Sequence, residues 1–182
     1  MIESIGFSTG GFNATYGDKM SSVLDITYRK PKGFESSFSG SLLGGSAFIG
    51  TGNDKFSFSG SARYKTNKYL LNTLDTEGEY NPSFFDYQTY IVWSPTEKWS
   101  LEFLGNMARN RYNFTPSTRN TTFGTAENIK SFTMYFDGWE QDHYNTLFGS
   151  LNIRHNFNTN NSISLNTSFF NSQEEETKRL NL

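Results

Sequence analysis

Between Lys55 and Lys65 the chain alternates with a strict period of two. Phe56, Phe58, Gly60, Ala62 and Tyr64 occupy the even positions, and Lys55, Ser57, Ser59, Ser61, Arg63 and Lys65 the odd ones. That is the side-chain period of a β-strand, and it predicts one apolar face and one polar face. The alternation returns over residues 85–94, 99–108, 147–154 and 162–169, and more weakly over 35–42. Each of these stretches is predicted to be a strand. In register, Phe56, Phe58, Tyr64, Leu101, Phe103, Leu151 and Ile153 are expected on the apolar face. Lys55, Arg63, Glu102, Asn152 and Arg154 are expected on the polar one.

The connections fall into two lengths. Tight ones are expected at Gly52-Asn53-Asp54, 94–98 and 158–161, and long ones at 67–83 and 113–144. Short turns on one rim and long loops on the other are the rhythm of an antiparallel transmembrane β-barrel, whereas a soluble sandwich has no need of it. Aromatic residues gather at the strand ends, with Trp93 and Trp99 beside one tight turn and Tyr112 and Phe114 opening a long connection. They fit an interfacial girdle or the caps of a soluble core, since rings favour any strand.

Composition agrees with an all-β chain. The 182 residues are 17% aromatic, with 18 Phe, 10 Tyr and 16 Gly, and their mean hydropathy of -0.61 cannot be read as disorder given that ring content. A net charge of -2 points to no nucleic acid, and the absence of cysteine removes disulfides and thiolate chemistry. No apolar run reaches the length of about 18 residues that a transmembrane helix needs, but a barrel strand needs only about 9–11. Met1-Ile2-Glu3-Ser4-Ile5 has no basic or apolar leader, so an exported chain is expected to be incomplete at its N-terminus.

No catalytic constellation is visible, so the chain does not read as an enzyme. His143 and His155 have no patterned carboxylate or cysteine partners, and are expected to be solvated or to face a lumen rather than to bind metal. The serines lie at alternating strand positions without a nucleophile elbow. Asp75, Glu77 and Glu79, and then Asp137, Glu140 and Asp142, read as solvated loop charge, lacking an EF-hand spacing. Phe132, Tyr135, Phe136, Trp139 and Tyr144 form an aromatic-rich stretch in the second long connection. There Tyr135, Trp139 and Tyr144 are candidate ligand contacts, while 131–136 could equally extend a strand.

The first thirty residues carry a more specific signal. Ile2-Glu3-Ser4-Ile5 is followed by Gly10-Gly11-Phe12-Asn13-Ala14-Thr15-Tyr16-Gly17 and then by Met20-Ser21-Ser22-Val23-Leu24-Asp25-Ile26-Thr27. This ordered set resembles the end of the plug domain of TonB-dependent outer-membrane receptors of the type common in Bacteroidota. Gly10, Gly11, Phe12, Tyr16 and Gly17 would form its turn, the glycines permitting positive φ and close backbone approach. Val23, Leu24 and Ile26 would form a short buried strand. The position before the turn glycine, where many relatives carry a plug-anchoring Arg, is Thr9, so no such latch is carried over. Arg29 and Lys30 are expected to be solvated linker charges.

The resemblance implies residues 1–31 as the C-terminal part of a plug and 32–182 as about seven strands of a larger antiparallel barrel, about 22 strands in this family. It implies a place in the bacterial outer membrane, contact with lipid, a TonB complex engaged through a segment outside this chain, an unidentified nutrient ligand such as a siderophore, cobalamin, oligosaccharide or peptide, and no cofactor. A plug joins its barrel on the periplasmic side, so one reversal is expected between Glu35 and Gly52, with Gly44-Gly45 as the natural hairpin. A passive porin-like channel and a soluble or surface β-rich adhesin are the competing readings.

Overall fold

The computed structural model describes residues 1–11, 13, 16–17, 21–71, 78–125, 127–135 and 137–180. The described residues are all-β and antiparallel apart from one short helical turn, α1 (Lys68–Leu71). β1 (Ile2–Ser8) and β2 (Val23–Tyr28) pair as a two-stranded sheet. A meander follows: β3 (Glu35–Ser41), β4 (Gly44–Gly52), β5 (Phe56–Thr66), β7 (Ser83–Thr96), β8 (Trp99–Pro116), β11 (Gly138–Asn156) and β12 (Ser162–Leu180), each hydrogen-bonded to the next. A short β6 (Gly78–Tyr80) adds to β8, and β9 (Arg119–Thr125) pairs with β10 (Asn128–Met134) as a separate hairpin.

The predicted reversal between Glu35 and Gly52 is present, with its turn at Leu42-Leu43 and Gly44 opening β4. Gly44 has φ 134°, and a Cβ there would lie 2.1 Å from the Tyr64 carbonyl oxygen, so only glycine fits. Two of the other tight turns are closed by side chains. Asn53 Oδ1 accepts from the Lys55 and Phe56 amides at 2.9 and 3.0 Å, and Asn158 Oδ1 accepts from the Asn160 and Asn161 amides.

The second long connection is shorter than expected. β8 runs on to Pro116 and β11 starts at Gly138, while much of the interval is the β9–β10 hairpin. The backbone ladder continues where the apolar alternation stops, because pairing needs only a neighbouring strand.

Register sorts the side chains as the alternation predicts. Phe58, Ile91, Phe103, Leu151 and Thr167 form one cross-strand row, and Trp93, Leu101, Ile153 and Leu165 the next. On this face, from the Trp93, Trp99 and His155 rim up to Tyr64, Phe85, Met107 and Leu147, none of the seven strands carries Asp, Glu, Lys or Arg. The face has no partner among the described residues, and its large side chains are exposed: Phe38 by 81%, Trp93 by 50% and Leu165 by 62%. The opposite face holds Arg63, Glu102, Asn152 and Arg154 as expected, while Lys55 lies in the turn before β5.

Hairpin β1–β2 and the segment after it lie on the polar face, and the buried non-glycine residues of the large sheet are there: Ser57, Ser59, Tyr90 and Val92. Val23 is buried as expected, but Ile26 is only half-buried and Leu24 is exposed.

Gly44→Ala is expected to destabilise the β3–β4 hairpin by about 1–3 kcal/mol, the cost of a strained backbone, and more if Tyr64 cannot move. Hydrogen exchange checks this: amides of β3 should lose protection while those of β8 and β11 keep theirs.

Candidate functional site

Two groups of side chains converge on the polar face. The first ties the hairpin to the wall. Gln88 and Tyr90 are two apart on β7 and so point the same way, and Glu102 of β8 is diagonal to Tyr90. Glu102 is the hub: Lys30 Nζ donates to its Oε1 at 2.8 Å and the Tyr90 hydroxyl to its Oε2 at 2.9 Å. Gln88 Nε2 donates to the Tyr28 hydroxyl at 3.0 Å, and the Tyr28 and Tyr90 rings lie 5.1 Å apart. The Ser57 hydroxyl donates to the Pro31 carbonyl at 3.2 Å. Arg29 and Lys30 are exposed, as expected of linker charges, but each is ion-paired, Arg29 to Glu35 and Lys30 to Glu102. Both pairings have one cause: the linker lies against the sheet, where carboxylates from β3 and β8 come within reach.

The second group forms a pocket of about 350 Å³ towards the other end of the strands, lined by Lys65, Phe84, Asn110, Tyr112 and Tyr144 among others. Beneath it Arg63 pairs with Asp86, Nη2 to Oδ2 at 2.8 Å, with its guanidinium 5.0 Å from the Phe84 ring centre. Tyr80 packs on Phe114 and Tyr112, with centroids 4.6 and 6.2 Å away. Ring faces beside an amide and an ammonium can hold a polar ligand by hydrogen bonds while its apolar side lies on a ring.

The predicted ligand contacts do not converge. Tyr144 lines the pocket, Trp139 is on the opposite face of β11 by parity, and Tyr135 is 81% exposed between β10 and β11. Of the turn residues, Gly11 has φ 63°, and a Cβ at Gly10, Gly11 or Gly17 would meet nothing within 4 Å in this chain. Backbone freedom at Gly11, rather than close approach, is what the described turn uses. The Tyr16 hydroxyl donates to Asp25 Oδ2 at 2.9 Å, fastening the turn to β2 and raising the phenol's pKa, since the bond favours the neutral ring. Phe12 lies outside the described residues, as do Asp75, Glu77 and Phe136.

The histidines need correction. His143 and His155 sit at odd positions of β11, on the apolar-face side rather than the polar one, and His155 stacks on Trp99 with centroids 4.3 Å apart. Glu140 and Asp142 join Glu176 of β12, with ligand-type oxygens within 4.8 Å of one another. Burial, then Glu140 and Glu176, raise the Asp142 pKa. Lys178 bonds Glu140 at 3.0 Å and also Glu176, supplying the cation this group needs.

Tyr28, Gln88 and Tyr90 were missed by sequence reading. The available signal was Tyr90 itself, a large ring at a polar-phase position of an alternating strand.

Glu102→Ala leaves the Tyr90 hydroxyl without its acceptor, at a cost of about 1–3 kcal/mol, and frees Lys30. Limited proteolysis should then cut faster between β2 and β3. A double-mutant cycle with Lys30→Met should give a coupling of about 1 kcal/mol or less, the pair being part-exposed. No protein family, curated protein or solved structure matches the chain.

Proposed function

We propose that this chain supplies the end of the plug and the adjoining wall strands of a TonB-dependent outer-membrane receptor, which takes up a scarce nutrient at the expense of energy delivered by the TonB complex. One observation carries the reading: the apolar face is uncovered and free of charge, while the polar face holds the covering hairpin. Lipid is the solvent that suits such a face, and a polar lumen suits the hairpin. The wall strands reach 19 residues, beyond the roughly 9–11 that cross a bilayer, so their upper ends stand clear of it.

A passive channel has no use for a hairpin bonded to its inner wall. A soluble adhesin would turn its ring-bearing face inward, against a second sheet. In the proposed receptor β1–β2 is the last part of the plug, the Lys30, Tyr90 and Glu102 group its junction with the wall, and the pocket at Tyr144 part of the lumen's outer mouth. The large sheet is open, with β3 and β12 unpaired to each other, and in the proposed receptor further strands would complete it.

Cysteine scanning in membranes tests the faces. Phe103→Cys should react with a lipid-soluble maleimide and resist a charged one, and Glu102→Cys should do the reverse. Produced alone in plain buffer, the chain should aggregate unless detergent is present, because lipid-facing rings and two open edges have no cover. A monodisperse, cooperatively melting monomer without detergent would replace this reading with the soluble one.

A further inference from the structure

The apolar face ends abruptly. Along β8 its residues are Trp99, Leu101, Phe103, Gly105 and Met107, and then Arg109 and Arg111. Along β11 they are His155, Ile153, Leu151, Gly149 and Leu147, and then Asn145 and His143. The register sets Arg109 opposite Asn145 and Arg111 opposite His143, so two adjacent strands change character at the same level. Ten steps from Trp99 to Arg109, at about 3.4 Å each and a tilt of about 40°, rise about 26 Å, against an apolar band of about 25 Å in transmembrane barrels. The arginines thus stand where hydrocarbon gives way to headgroups, on the outside of the wall.

Between them lies a pocket of about 240 Å³ lined by Arg109, Arg111, His143 and Asn145. Asn145 Oδ1 accepts from Arg109 Nε at 3.0 Å, which holds that guanidinium over the pocket. Neither Arg111 nor His143 makes a side-chain hydrogen bond or ion pair among the described residues. One carboxylate shares this side of the sheet at that level: Glu175, opposite His143 on β12. Two guanidiniums exceed what one glutamate balances.

We infer that Arg109, Arg111 and His143 bind the phosphate of an anionic lipid headgroup, with the acyl chains lying down the Met107, Leu147 and Phe103 surface below. The inference rests on the membrane reading proposed above. Guanidinium pairs suit a phosphate because their forked donors meet its oxygens two at a time, and a basic cluster at headgroup height attracts anionic lipid. The partner is taken to be a lipid, not a soluble phosphate, because the pocket opens on the face that carries the uncovered rings.

The test uses the full-length protein that carries this sequence, in vesicles of phosphatidylcholine with either phosphatidic acid or the uncharged diacylglycerol. After extraction in non-ionic detergent, the lipid retained is measured by mass spectrometry. Phosphatidic acid should be retained in preference, and Arg109→Gln and Arg111→Gln should each reduce retention about fivefold. Arg111→Lys should keep part of it, and Lys55→Gln, at the opposite rim, should leave it unchanged. Equal retention by the wild type and both glutamine variants overturns the inference, as does no preference over diacylglycerol. Displacement of the lipid by inorganic phosphate as readily as by phosphatidic acid would make the site one for soluble phosphate and overturn the lipid assignment. An alkaline carbonate wash separates the two levels. If it strips the chain from the vesicles, the membrane reading has failed; if the chain stays but shows no preference, only the lipid site has.

Discussion

The structure depends on which face of the sheet is covered. A β-sheet in water must bury its ring-bearing side, because each Å² of apolar surface left wet forfeits about 25 cal/mol. Here the cover is on the other side. Tyr28, Lys30 and Pro31 meet serines, a glutamine and a glutamate, and hold to them chiefly by hydrogen bonds, one ion pair and a single ring contact. The side chains of Phe58, Phe103 and Leu165 lie on the uncovered face in rows that run strand to strand. In water the arrangement has no driving force on its exposed side; in lipid it has one.

Length follows from the same constraint. The strands stay in unbroken register through the charge-free band, as the proposed place in an apolar slab, where every backbone group must be paired, would demand. Above it the ladder continues without that compulsion, and side chains of any character appear: Arg109 and Arg111 outward, Tyr112, Tyr144 and Asp142 inward. The candidate pocket and the acidic group on β11 and β12 are both built on these extensions, where a rigid strand can place polar groups that the slab would reject.

The sequence made the strands legible as far as one face was uniformly apolar. From Phe56 to Tyr64 and from Trp99 to Met107 the alternation is unbroken, and both the strands and their faces follow from it. Where the band ends, the signal ends with it, which is why β8 was read as stopping at Ala108 and the upper parts of β8 and β11 as loop. The site was less legible because its members are exceptions. Tyr90, Phe84 and Tyr144 are rings on a polar face, and Lys30 became an anchor only when register brought Glu102 to it from 72 residues away. No local pattern encodes that meeting. The histidines were misassigned for a related reason: parity along β11 fixes their side, and parity outweighs polarity when a rim is wide enough to take an imidazole.

The junction between hairpin and wall shows how such a contact can be close without being greasy. Pro31 is buried, and around it the wall is made of the smallest residues available. A Cβ at Gly50 would come within 2.7 Å of Pro31 Cγ, and one at Gly52 within 2.2 Å of the Pro31 carbonyl oxygen. Ser57 bonds that carbonyl, and Ser59, 1% exposed, lies beside it in the next row with its hydroxyl unpartnered. Side chains of this size let backbone approach backbone, so position is set by shape while few apolar contacts are made. Apart from the stacked Tyr28 and Tyr90 and the Lys30–Glu102 ion pair, what holds the segment is a set of hydrogen bonds that water can replace one at a time, each contributing about 0.5–1.5 kcal/mol net. A wall of leucines would have fixed the segment by dispersion and made its release cost the whole interface at once. Glycine and serine at Gly50, Gly52, Ser57 and Ser59 therefore give the junction a defined seat together with a low barrier to leaving it, the combination that the proposed plug, which has to move, would require.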